Sequence, residues 1–414
     1  MHILIVTDQH PDSLGGAQVA IRTQRASLEQ LGHRVSIAAP ALHRHGFRVA
    51  EKDRETYIEL PSRPLTRDRE YGLTWPTRRT DRALAVALRG LPPVDLVHVQ
   101  GDFWGAMIGV RAARGLRVPL LFTMHNNVDQ GTRAVTGLAP VVFLGLRGWR
   151  ALALGRVRGF VTSHSRGAWR YLAELAAEAD AVLAPSRHFA SQLERNGVAR
   201  DVLAVRGGVD DALIAAVREQ PRSLHTRPLL VWLGRMSSEK RVLEFVDAVA
   251  LSGVDADVRL YGAGLLLDQV NARIASHGLQ DRVRVLGPVP HEEALAALRE
   301  ADALVQTSVG FETQGLTPFE AAVLGTPTIF CDAVIAEDAA VSPAWVVPHE
   351  EGGADAAVRA LAHTLSAAVQ ELQAGINASS DELRVDEAQT KAFLQSEQTR
   401  LLVAHYERVL GSAR

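Results

Sequence analysis

Short apolar runs alternate with segments of helical periodicity along most of the chain. The first series of runs covers residues 3–7, 35–38, 95–99, 119–123, 181–184 and 202–205. Continuous apolar runs of this length are typical of strands that are buried on both faces of a sheet. Between the first two runs, residues 17–31 carry apolar side chains at helical spacing. The pattern predicts parallel strands joined by helices, which is a doubly wound sheet.

The same pattern restarts after a polar stretch. Residues 210–227 contain Pro221 and are predicted to form a linker. Further strands are predicted at 229–233, 258–262, 283–286, 303–305 and 328–330. We therefore expect an α/β protein with two Rossmann-like, doubly wound parallel-sheet domains that face each other across a cleft. The expected domains cover 1–210 and 225–395, and a C-terminal helix is expected within 396–414.

The composition is that of an ordinary globular protein. Of the 414 residues, 47% are hydrophobic and 22% are charged, and the net charge of −2 gives no support for nucleic-acid binding. Cys331 is the single cysteine, so an intramolecular disulfide is excluded, as expected in a reducing compartment. The chain shows no signal-peptide pattern and no apolar run near the ~18 residues that span a bilayer. We therefore expect a cytoplasmic protein.

The most informative segment is residues 310–328, which read GFETQGLTPFEAAVLGTPT. An apolar run precedes this segment, so a strand is expected to lead into it. Thr317, Pro318 and Glu320 then predict a helix start, with Thr317 as the N-cap and Pro318 at the first helical position. Glu320 has the spacing of the reciprocal carboxylate in a capping box.

The predicted helix start also suits a ligand. Backbone N–H groups of Gly315 and Leu316 would converge on one point in front of the positive end of the helix dipole, which favours a phosphate. Glu312 and Glu320 flank this point. Phosphate and hydroxyl groups occur together in a sugar nucleotide, so such a ligand fits. The alternative is structural, with Glu320 serving only the capping box and Glu312 only a solvated loop acid.

A second candidate site is the loop after the strand predicted at 229–233. The loop reads GRMSSEK, and ligands bind at the carboxyl ends of strands in open α/β sheets. Arg235 offers a planar fork and Lys240 a compact charge, which are complementary ways to hold a diphosphate. Lysines are rare in this chain, so Lys240 stands out among the many arginines. The alternative is an exposed basic helix start.

Candidate residues also follow strands of the first domain. Gly15 and Gly16 would let backbone amides approach a phosphate at a helix N-terminus, although any tight turn uses such a pair. His125 ends a strand at the same edge of the predicted sheet. His98 and Asp102 belong to the neighbouring strand and its loop, and they could line the same cleft. A histidine that only bonds to the local backbone is the alternative for His125.

Residues 310–328 closely resemble the paired-glutamate signature of family 4 glycosyltransferases, a group of retaining enzymes with the GT-B fold. The resemblance implies that Glu312 contacts the donor sugar and that Glu320 contacts the ribose of the nucleotide. The donor-binding segment between the glutamates would comprise Gln314, Gly315 and Leu316. Many members carry an aromatic residue before the Gly-Leu pair, where this chain has Thr-Gln.

The resemblance extends over nearly the whole chain. It implies that Arg235 and Lys240 grip the diphosphate, and that Gly15 and Gly16 form the N-terminal glycine loop of the family. It places His125 near the transferred sugar and the acceptor hydroxyl. The GT-B fold further implies that the final helix crosses back to the first domain.

The implied reaction is the transfer of a hexose, with retention, from a UDP- or GDP-sugar to a hydroxyl group. No Asp-x-Asp arrangement stands out as a metal-binding loop and no carboxylate stands out as a nucleophile, so we expect neither metal nor cofactor. Arg235, Lys240 and helix N-termini would stabilise the leaving diphosphate. Two alternatives stay open, a sugar-nucleotide epimerase of the GT-B type and a non-catalytic sugar-nucleotide-binding protein.

The acceptor is left open by the sequence. Residues 140–175 carry many arginines against a single acid, Glu174, with apolar and aromatic side chains between them. The arginines are Arg147, Arg150, Arg156, Arg158, Arg166 and Arg170. Such a segment fits peripheral contact with an anionic membrane and therefore a lipid or lipid-linked acceptor. An ordinary amphipathic helix with solvated arginines would leave a soluble sugar acceptor open.

Overall fold

The computed structural model describes residues 1–13, 15–223 and 225–412. The chain divides into two compact units, each built on a parallel sheet. The first contains Met1–Gly208 together with the chain from Gln395 onward, and the second is Val209–Leu394. The predicted fold class, with two parallel-sheet α/β domains, is confirmed.

Nine strands and seven helices of the first unit precede the junction in the described part of the chain. The strands are β1 (His2–Thr7), β2 (Arg34–Pro40), β3 (Tyr57–Leu60), β4 (Arg63–Pro64), β5 (Gly72–Leu73), β6 (Leu96–Gln100), β7 (Leu120–Thr123), β8 (Ala181–Ala184) and β9 (Val202–Ala204). The helices are α1 (Gly16–Gln30), α2 (Arg78–Ala87), α3 (Trp104–Leu116), α4 (Val128–Val135), α5 (Ala139–Leu154), α6 (Gly167–Ala176) and α7 (Arg187–Arg195).

The main sheet of the first unit has seven strands in the order β3-β2-β1-β6-β7-β8-β9. All neighbouring strands in it are parallel. Every residue of β1, β6 and β7 is buried, which explains why their apolar runs are continuous rather than alternating. The carboxyl ends of these three adjacent strands carry the candidate residues of this unit.

The second unit repeats the arrangement. Its strands are β10 (Leu229–Leu233), β11 (Asp257–Tyr261), β12 (Val283–Gly287), β13 (Ala303–Gln306), β14 (Thr328–Phe330) and β15 (Ala344–Val346). Its helices are α8 (Asp211–Glu219), α9 (Val242–Ser252), α10 (Leu267–Ser276), α11 (His291–Glu300), α12 (Leu316–Val323), α13 (Ala333–Ala339), α14 (Gly353–Ala378) and α15 (Glu387–Thr390). The last helix, α16 (Gln395–Ser412), belongs to the first unit.

The strand order of the second unit brings two distant loops together. The sheet has the order β12-β11-β10-β13-β14-β15, so β10 and β13 are neighbours although about seventy residues separate them in sequence. Both strands are parallel, and their carboxyl ends therefore lie at one edge of the sheet. The loops that follow them carry Arg235 and Lys240 on one side and Glu312 on the other.

The predicted linker is wrong in part, because the polar stretch contains helix α8. Asp210 is the N-cap of this helix, and its side chain accepts hydrogen bonds from the backbone N–H groups of Ala212 and Leu213. Ile214 and Val217 then bury their side chains in the second unit. A short helix with two inward apolar residues gives too weak a periodic signal to stand out beside the prolines that follow it.

Within residues 1–13, 15–223 and 225–412, no helix combines the length and hydrophobicity needed to cross a bilayer.

Candidate active site

The loop after β10 directs a lysine toward a glutamate from the loop after β13. A 3-10 turn at Ser238–Lys240 ends at Arg241, whose backbone is left-handed with φ of 52°. The Lys240 ammonium donates to Glu312 Oε1 in an ion pair. The Lys240 side chain is 26% exposed and that of Glu312 is 12% exposed. The two groups therefore neutralise each other in a half-buried position.

The backbone of this loop is fixed from both sides. Trp232 of β10 donates from its indole Nε1 to Thr307 Oγ1 at 2.9 Å, and Thr307 in turn donates to the backbone carbonyl of Lys240. Tertiary hydrogen bonds thus set the backbone position of Lys240. Arg235, at the start of the loop, is exposed. The two basic residues consequently differ, since Lys240 is held and Arg235 reaches into solvent.

Two glycines that the sequence reasoning missed support the same loop. A Cβ on Gly262 would lie 1.9 Å from the carbonyl oxygen of Gly234, and one on Gly264 would lie 2.3 Å from that of Met236. Gly262 also has φ of 129°, which favours glycine. The loop after β11 can therefore pack directly on the basic loop. The Gly-Ala-Gly sequence after an apolar run was the available signal.

The helix after Glu312 begins earlier than predicted. Its N-cap is Gly315, with φ of 68°, and Leu316 is the first helical residue. Thr317 is therefore not the N-cap, and Pro318 is the third helical residue rather than the first. The left-handed Gly315 lets the chain turn into the helix sooner, and a proline is tolerated there because the first N–H groups of a helix lack intrahelical partners. Gln314, just before this turn, is buried.

Glu320 has a partner that the sequence did not suggest. The predicted capping box is wrong, because α12 has no side-chain cap hydrogen bond. Instead His291, the first residue of α11, places its Nε2 2.6 Å from Glu320 Oε1. The Glu320 side chain is 10% exposed. A buried carboxylate requires such a hydrogen-bond partner.

In the first unit, the two candidate glycines have different environments. Gly15 is the N-cap of α1 with φ of 148°, and a Cβ there would lie 2.3 Å from Gln18 Oε1. Gly16 is the first helical residue, and a Cβ there would meet nothing within 4 Å. The backbone conformation at position 15 therefore requires glycine, whereas the space where a Cβ of residue 16 would lie is open to a ligand.

His125 is half-buried just after β7. Its Nε2 donates to Gln100 Oε1 at 3.2 Å, and its backbone N–H donates to Asp102 Oδ2 at 3.1 Å. Burial lowers the pKa of His125 to about 4, so the imidazole is neutral at neutral pH. A neutral imidazole can orient a hydroxyl group through a hydrogen bond without adding charge.

The buried side chain of Asp8 holds the loop between β6 and α3 through hydrogen bonds to its backbone. The Asp8 carboxylate accepts backbone N–H bonds from Asp102 at 2.6 Å, Phe103 at 3.1 Å and Gly105 at 2.7 Å. These donors lie at the start of α3, where the helix dipole favours negative charge. Burial raises the pKa of Asp8 to about 6 against the opposing effect of these hydrogen bonds.

A second buried aspartate supports the His125 loop. Asp102 Oδ2 accepts from the backbone N–H and the side-chain amide of Asn126 at 2.8 and 2.7 Å, in addition to the His125 N–H. Its Oδ1 is buried and has no hydrogen-bond partner within the described ranges. Burial, and then the charge of Asp8, raise the pKa of Asp102 to about 7. Of the two carboxyls, Asp8 therefore carries the charge more readily and Asp102 holds the proton.

His98 connects parts of the first unit through buried hydrogen bonds. It lies within β6, fully buried, with Nδ1 2.7 Å from the Tyr406 hydroxyl and Nε2 2.7 Å from Thr123 Oγ1. Burial lowers its pKa to about 3. The expectation that His98 lines a ligand site is therefore wrong, because its hydrogen bonds connect α16 to the sheet. Asp102 likewise supports the loop from beneath, since its carboxyl is buried.

Half of the predicted arginine cluster is engaged within the protein. The Arg150 side chain is 2% exposed, and its guanidinium bonds to Glu178 at 3.0 Å and to the carbonyl of Gly155 at 2.8 Å. Arg147 and Arg170 both pair with Glu174. The exposed members are Arg156, Arg158 and Arg166. The view that all of these arginines face solvent or a membrane is therefore wrong.

Helix α5 instead exposes an apolar face. Val141 is 66% exposed, Leu144 is 67% exposed and Leu152 is 87% exposed. Their spacing places them on one side of the helix. The positions between them on that side are Gly145, Gly148 and Ala151, which are also exposed. The outward face of this helix therefore lacks charge along its whole length.

The described residues contain no group of three or more His, Cys, Asp or Glu side chains that could hold a metal ion.

Two doubly wound α/β units, with a basic and an acidic loop meeting at the strand ends of the second, define a glycosyltransferase of the GT-B type. Sequence comparison agrees with this class. The family model for Glycosyltransferase Family 4 matches residues 14–213, and that for Glycosyl transferases group 1 matches residues 214–377. The chain belongs to glycosyltransferase family 4. This membership favours a transferase over the epimerase and the non-catalytic binding protein.

Individual relatives support the same class. The 2-deoxystreptamine glucosyltransferase of Streptomyces kanamyceticus is 27% identical over 96% of this chain and 100% of its own length. The alpha-monoglucosyldiacylglycerol synthase of Streptococcus pneumoniae is 24% identical over 80% of this chain and 70% of its own. Among solved structures, Anabaena HepE in complex with UDP and glucose has a TM-score of 0.66 at 17% identity, over 99% of this chain and 100% of its own. The chain is thus a retaining glycosyltransferase that uses a nucleotide-sugar donor.

Proposed function

We propose that this retaining transferase moves a hexose from a UDP-sugar to a hydroxyl group of a lipid or lipid-linked acceptor. The donor part of the proposal rests on one observation, the contact of Lys240 with Glu312 at the ends of adjacent strands. In this contact, Lys240 supplies a cation that can bind a diphosphate, and Glu312 beside it supplies a carboxylate that can accept hydrogen bonds from sugar hydroxyls. The complex of HepE with UDP and glucose supports uridine as the base, with GDP as the alternative.

The donor-binding residues divide by chemistry. Arg235 and Lys240 bind the diphosphate, and Glu312 accepts hydrogen bonds from hydroxyls of the hexose. Glu320 accepts hydrogen bonds from the ribose. Gln314, Gly315 and Leu316 line the donor at the start of α12, where the helix dipole adds positive potential.

We assign a front-face reaction to this site. The bond from the anomeric carbon to the phosphate oxygen breaks while the acceptor oxygen bonds to the same face, so the configuration is retained. The departing phosphate takes the acceptor proton, and Arg235 and Lys240 stabilise its charge. The neutral His125 orients the sugar and the acceptor hydroxyl, and Gly16 gives the donor room to approach the backbone. No metal or cofactor takes part in this proposal.

Calorimetric titration with UDP and GDP tests the donor site. Lys240→Ala and Arg235→Ala should each weaken UDP binding by about tenfold or more, since a charge-assisted hydrogen bond is worth ~1.5–3 kcal/mol. Lys391→Ala is the matched control, because it removes an exposed lysine from the same unit and leaves the loop intact. Unchanged UDP affinity in both loop variants would show that the loop does not bind the diphosphate. Tighter binding of GDP would assign guanine instead.

The acceptor part of the proposal rests on the apolar face of α5. An exposed, uncharged helix face is costly in water but can enter the interface of a bilayer. Arg156, Arg158 and Arg166, which are exposed shortly after this helix, can attract anionic headgroups. The name of the Streptococcus relative, a glucosyldiacylglycerol synthase, supports a lipid acceptor. The enzyme would then act from the cytoplasm as a peripheral protein at the inner face of the plasma membrane.

Sedimentation with phosphatidylglycerol vesicles tests this part. The wild type should sediment at low salt, and Leu144→Glu with Leu152→Glu should abolish sedimentation while UDP binding is unchanged. Val86→Glu on α2 is the matched control, because Val86 is an exposed valine of the same unit outside the apolar face. A wild type that stays in solution at low salt would favour the second candidate, a soluble acceptor. The name of the Streptomyces relative, a 2-deoxystreptamine glucosyltransferase, supports that candidate.

A further inference from the structure

The bond between His291 and Glu320 joins two helices at the candidate donor site. His291 Nε2 lies 2.6 Å from Glu320 Oε1, and because the carboxylate oxygen accepts, the imidazole is the donor. Glu320 lies in α12 and His291 opens α11. Within the described residues, no other side chain bonds to the Glu320 carboxylate.

The packing of α11 determines where His291 points. Leu295 and Leu298 are fully buried and lie on the same side of the helix as His291, at spacings of four and seven residues. Both leucines belong to the core cluster that also holds Phe319 and Ala322 of α12. The apolar contacts between the two helices therefore direct the first residue of α11 toward the carboxylate of Glu320.

The bond leaves one carboxylate oxygen for a ligand. His291 occupies Oε1. Oε2 is not one of the fully buried atoms without a partner, so it is accessible to a ligand. The hydrogen bond also fixes the rotation of the carboxylate, because a donor on one oxygen sets the direction of the lone pairs on the other. A fixed acceptor distinguishes a ligand with a hydroxyl group from one that lacks it better than a mobile acceptor does.

We infer that His291 is a positioning residue that holds Glu320 for the ribose hydroxyls and thereby sets the preference for ribonucleotide over deoxyribonucleotide donors. The inference rests on the proposed role of Glu320 toward ribose. It adds a residue outside the glutamate-bearing segment to the recognition of the nucleotide. It also explains why a half-exposed histidine at the start of α11 is turned inward rather than toward solvent.

Titration with UDP, 2′-deoxy-UDP and 3′-deoxy-UDP tests the inference. In the wild type, at least one deoxy analogue should bind about tenfold more weakly than UDP, since a lost hydrogen bond to a charged group has this size. His291→Ala should reduce that ratio to less than about threefold, close to the ratio in Glu320→Ala. His291→Gln keeps a side-chain N–H donor and should restore part of the ratio.

Steady-state kinetics give a second readout. The diphosphate separates the ribose from the reacting anomeric carbon, so we expect ribose contacts to stabilise the ground state and the transition state equally. His291→Ala should then raise KM for the UDP-sugar and leave kcat nearly unchanged. His363→Ala is the matched control, because His363 is an exposed histidine of α14 in the same unit. A purely structural role of His291 would lower the melting temperature without changing the ratio of UDP to deoxy-UDP affinity.

The outcomes separate the inference from the proposed function. If Glu320→Ala abolishes the ratio and His291→Ala keeps it at the wild-type value, the positioning role is overturned and the ribose role of Glu320 stands. If the wild type itself binds UDP and both deoxy analogues equally, both the ribose role and the positioning role are overturned. Loss of the ratio in both variants, with partial recovery in His291→Gln, supports the inference.

Discussion

The ion pair of Lys240 with Glu312 has a consequence for nucleotide binding. Lys240 cannot give its full charge to a diphosphate while Glu312 holds it, so the pair competes with the ligand. Glu312→Gln keeps the shape of the side chain and removes its charge. We therefore expect UDP, which has no hexose to engage residue 312, to bind more tightly to this variant than to the wild type.

The size of the gain follows from the burial of the pair. With side chains 26% and 12% exposed, the pair lies between a surface pair and a buried one. The upper end of the surface range, ~1 kcal/mol, is a reasonable value after screening by solvent. This corresponds to about fivefold tighter binding of UDP. Turnover of a UDP-hexose should fall by about tenfold or more, because the charged acceptor for sugar hydroxyls is lost.

Calorimetry with UDP and a coupled assay of UDP release measure both effects. Glu239→Gln is the control, because Glu239 lies in the same loop and bonds to Ser237 rather than to Lys240. It removes one negative charge nearby and should change UDP affinity much less. Equal or weaker UDP binding to Glu312→Gln would refute the competition argument. Equal gains in both variants would assign the effect to the general field of the loop instead.

Three further predictions concern the supporting structure. Gly15→Ala should lower the unfolding free energy by about 1 kcal/mol or more because its φ of 148° is strained for any other residue, whereas Gly16→Ala should keep the melting temperature and lower kcat/KM. The pKa of Asp102 is about 7 in the folded protein and 3.8 in the unfolded chain, so the folded state binds the proton more tightly. This contribution to the unfolding free energy is fully present below pH 3.8 and is lost as pH rises through 7. Chemical denaturation from pH 4 to 8 should therefore show a stability gain of Asp102→Asn over wild type that grows with pH. Arg150→Ala should cost ~3 kcal/mol, the lower end for a broken buried pair, since Arg114 still pairs with Glu178.

The central strands of both sheets were predictable because they are buried, whereas the edge strands β3 and β15 were not predicted. Continuous apolar runs such as those of β1 and β10 leave little choice of secondary structure. The position of the helix start after Gly315 was not predictable, because a glycine in a left-handed turn and a threonine N-cap are both compatible with the local sequence. The choice depends on how the chain leaves β13, which is a tertiary property.

The arginines of residues 140–175 show where more could have been predicted. Phe143, Arg150 and Leu154 recur at spacings of seven and four, and all three are buried on one face of α5. Helical periodicity alone thus places Arg150 among core residues. The sequence could not show that Glu178, far along the chain, would pair with it. It is this partner that makes the burial of a guanidinium possible.

The partners of the two glutamates show what a motif leaves out. The sequence singled out Glu312, Glu320 and Lys240 by residue type and spacing, and the family resemblance gave all three to one donor, but neither showed that Lys240 pairs with Glu312. The adjacency of β10 and β13 makes Lys240 and Glu312 one site, and the packing of α11 on α12 gives Glu320 its histidine. Each glutamate is therefore held by a residue from a different, earlier element of the chain. In the proposed donor complex, the diphosphate competes with Glu312 for Lys240, whereas no group of the donor is proposed to bind His291. Glu312 would therefore exchange its partner when the donor binds, and Glu320 would keep its own.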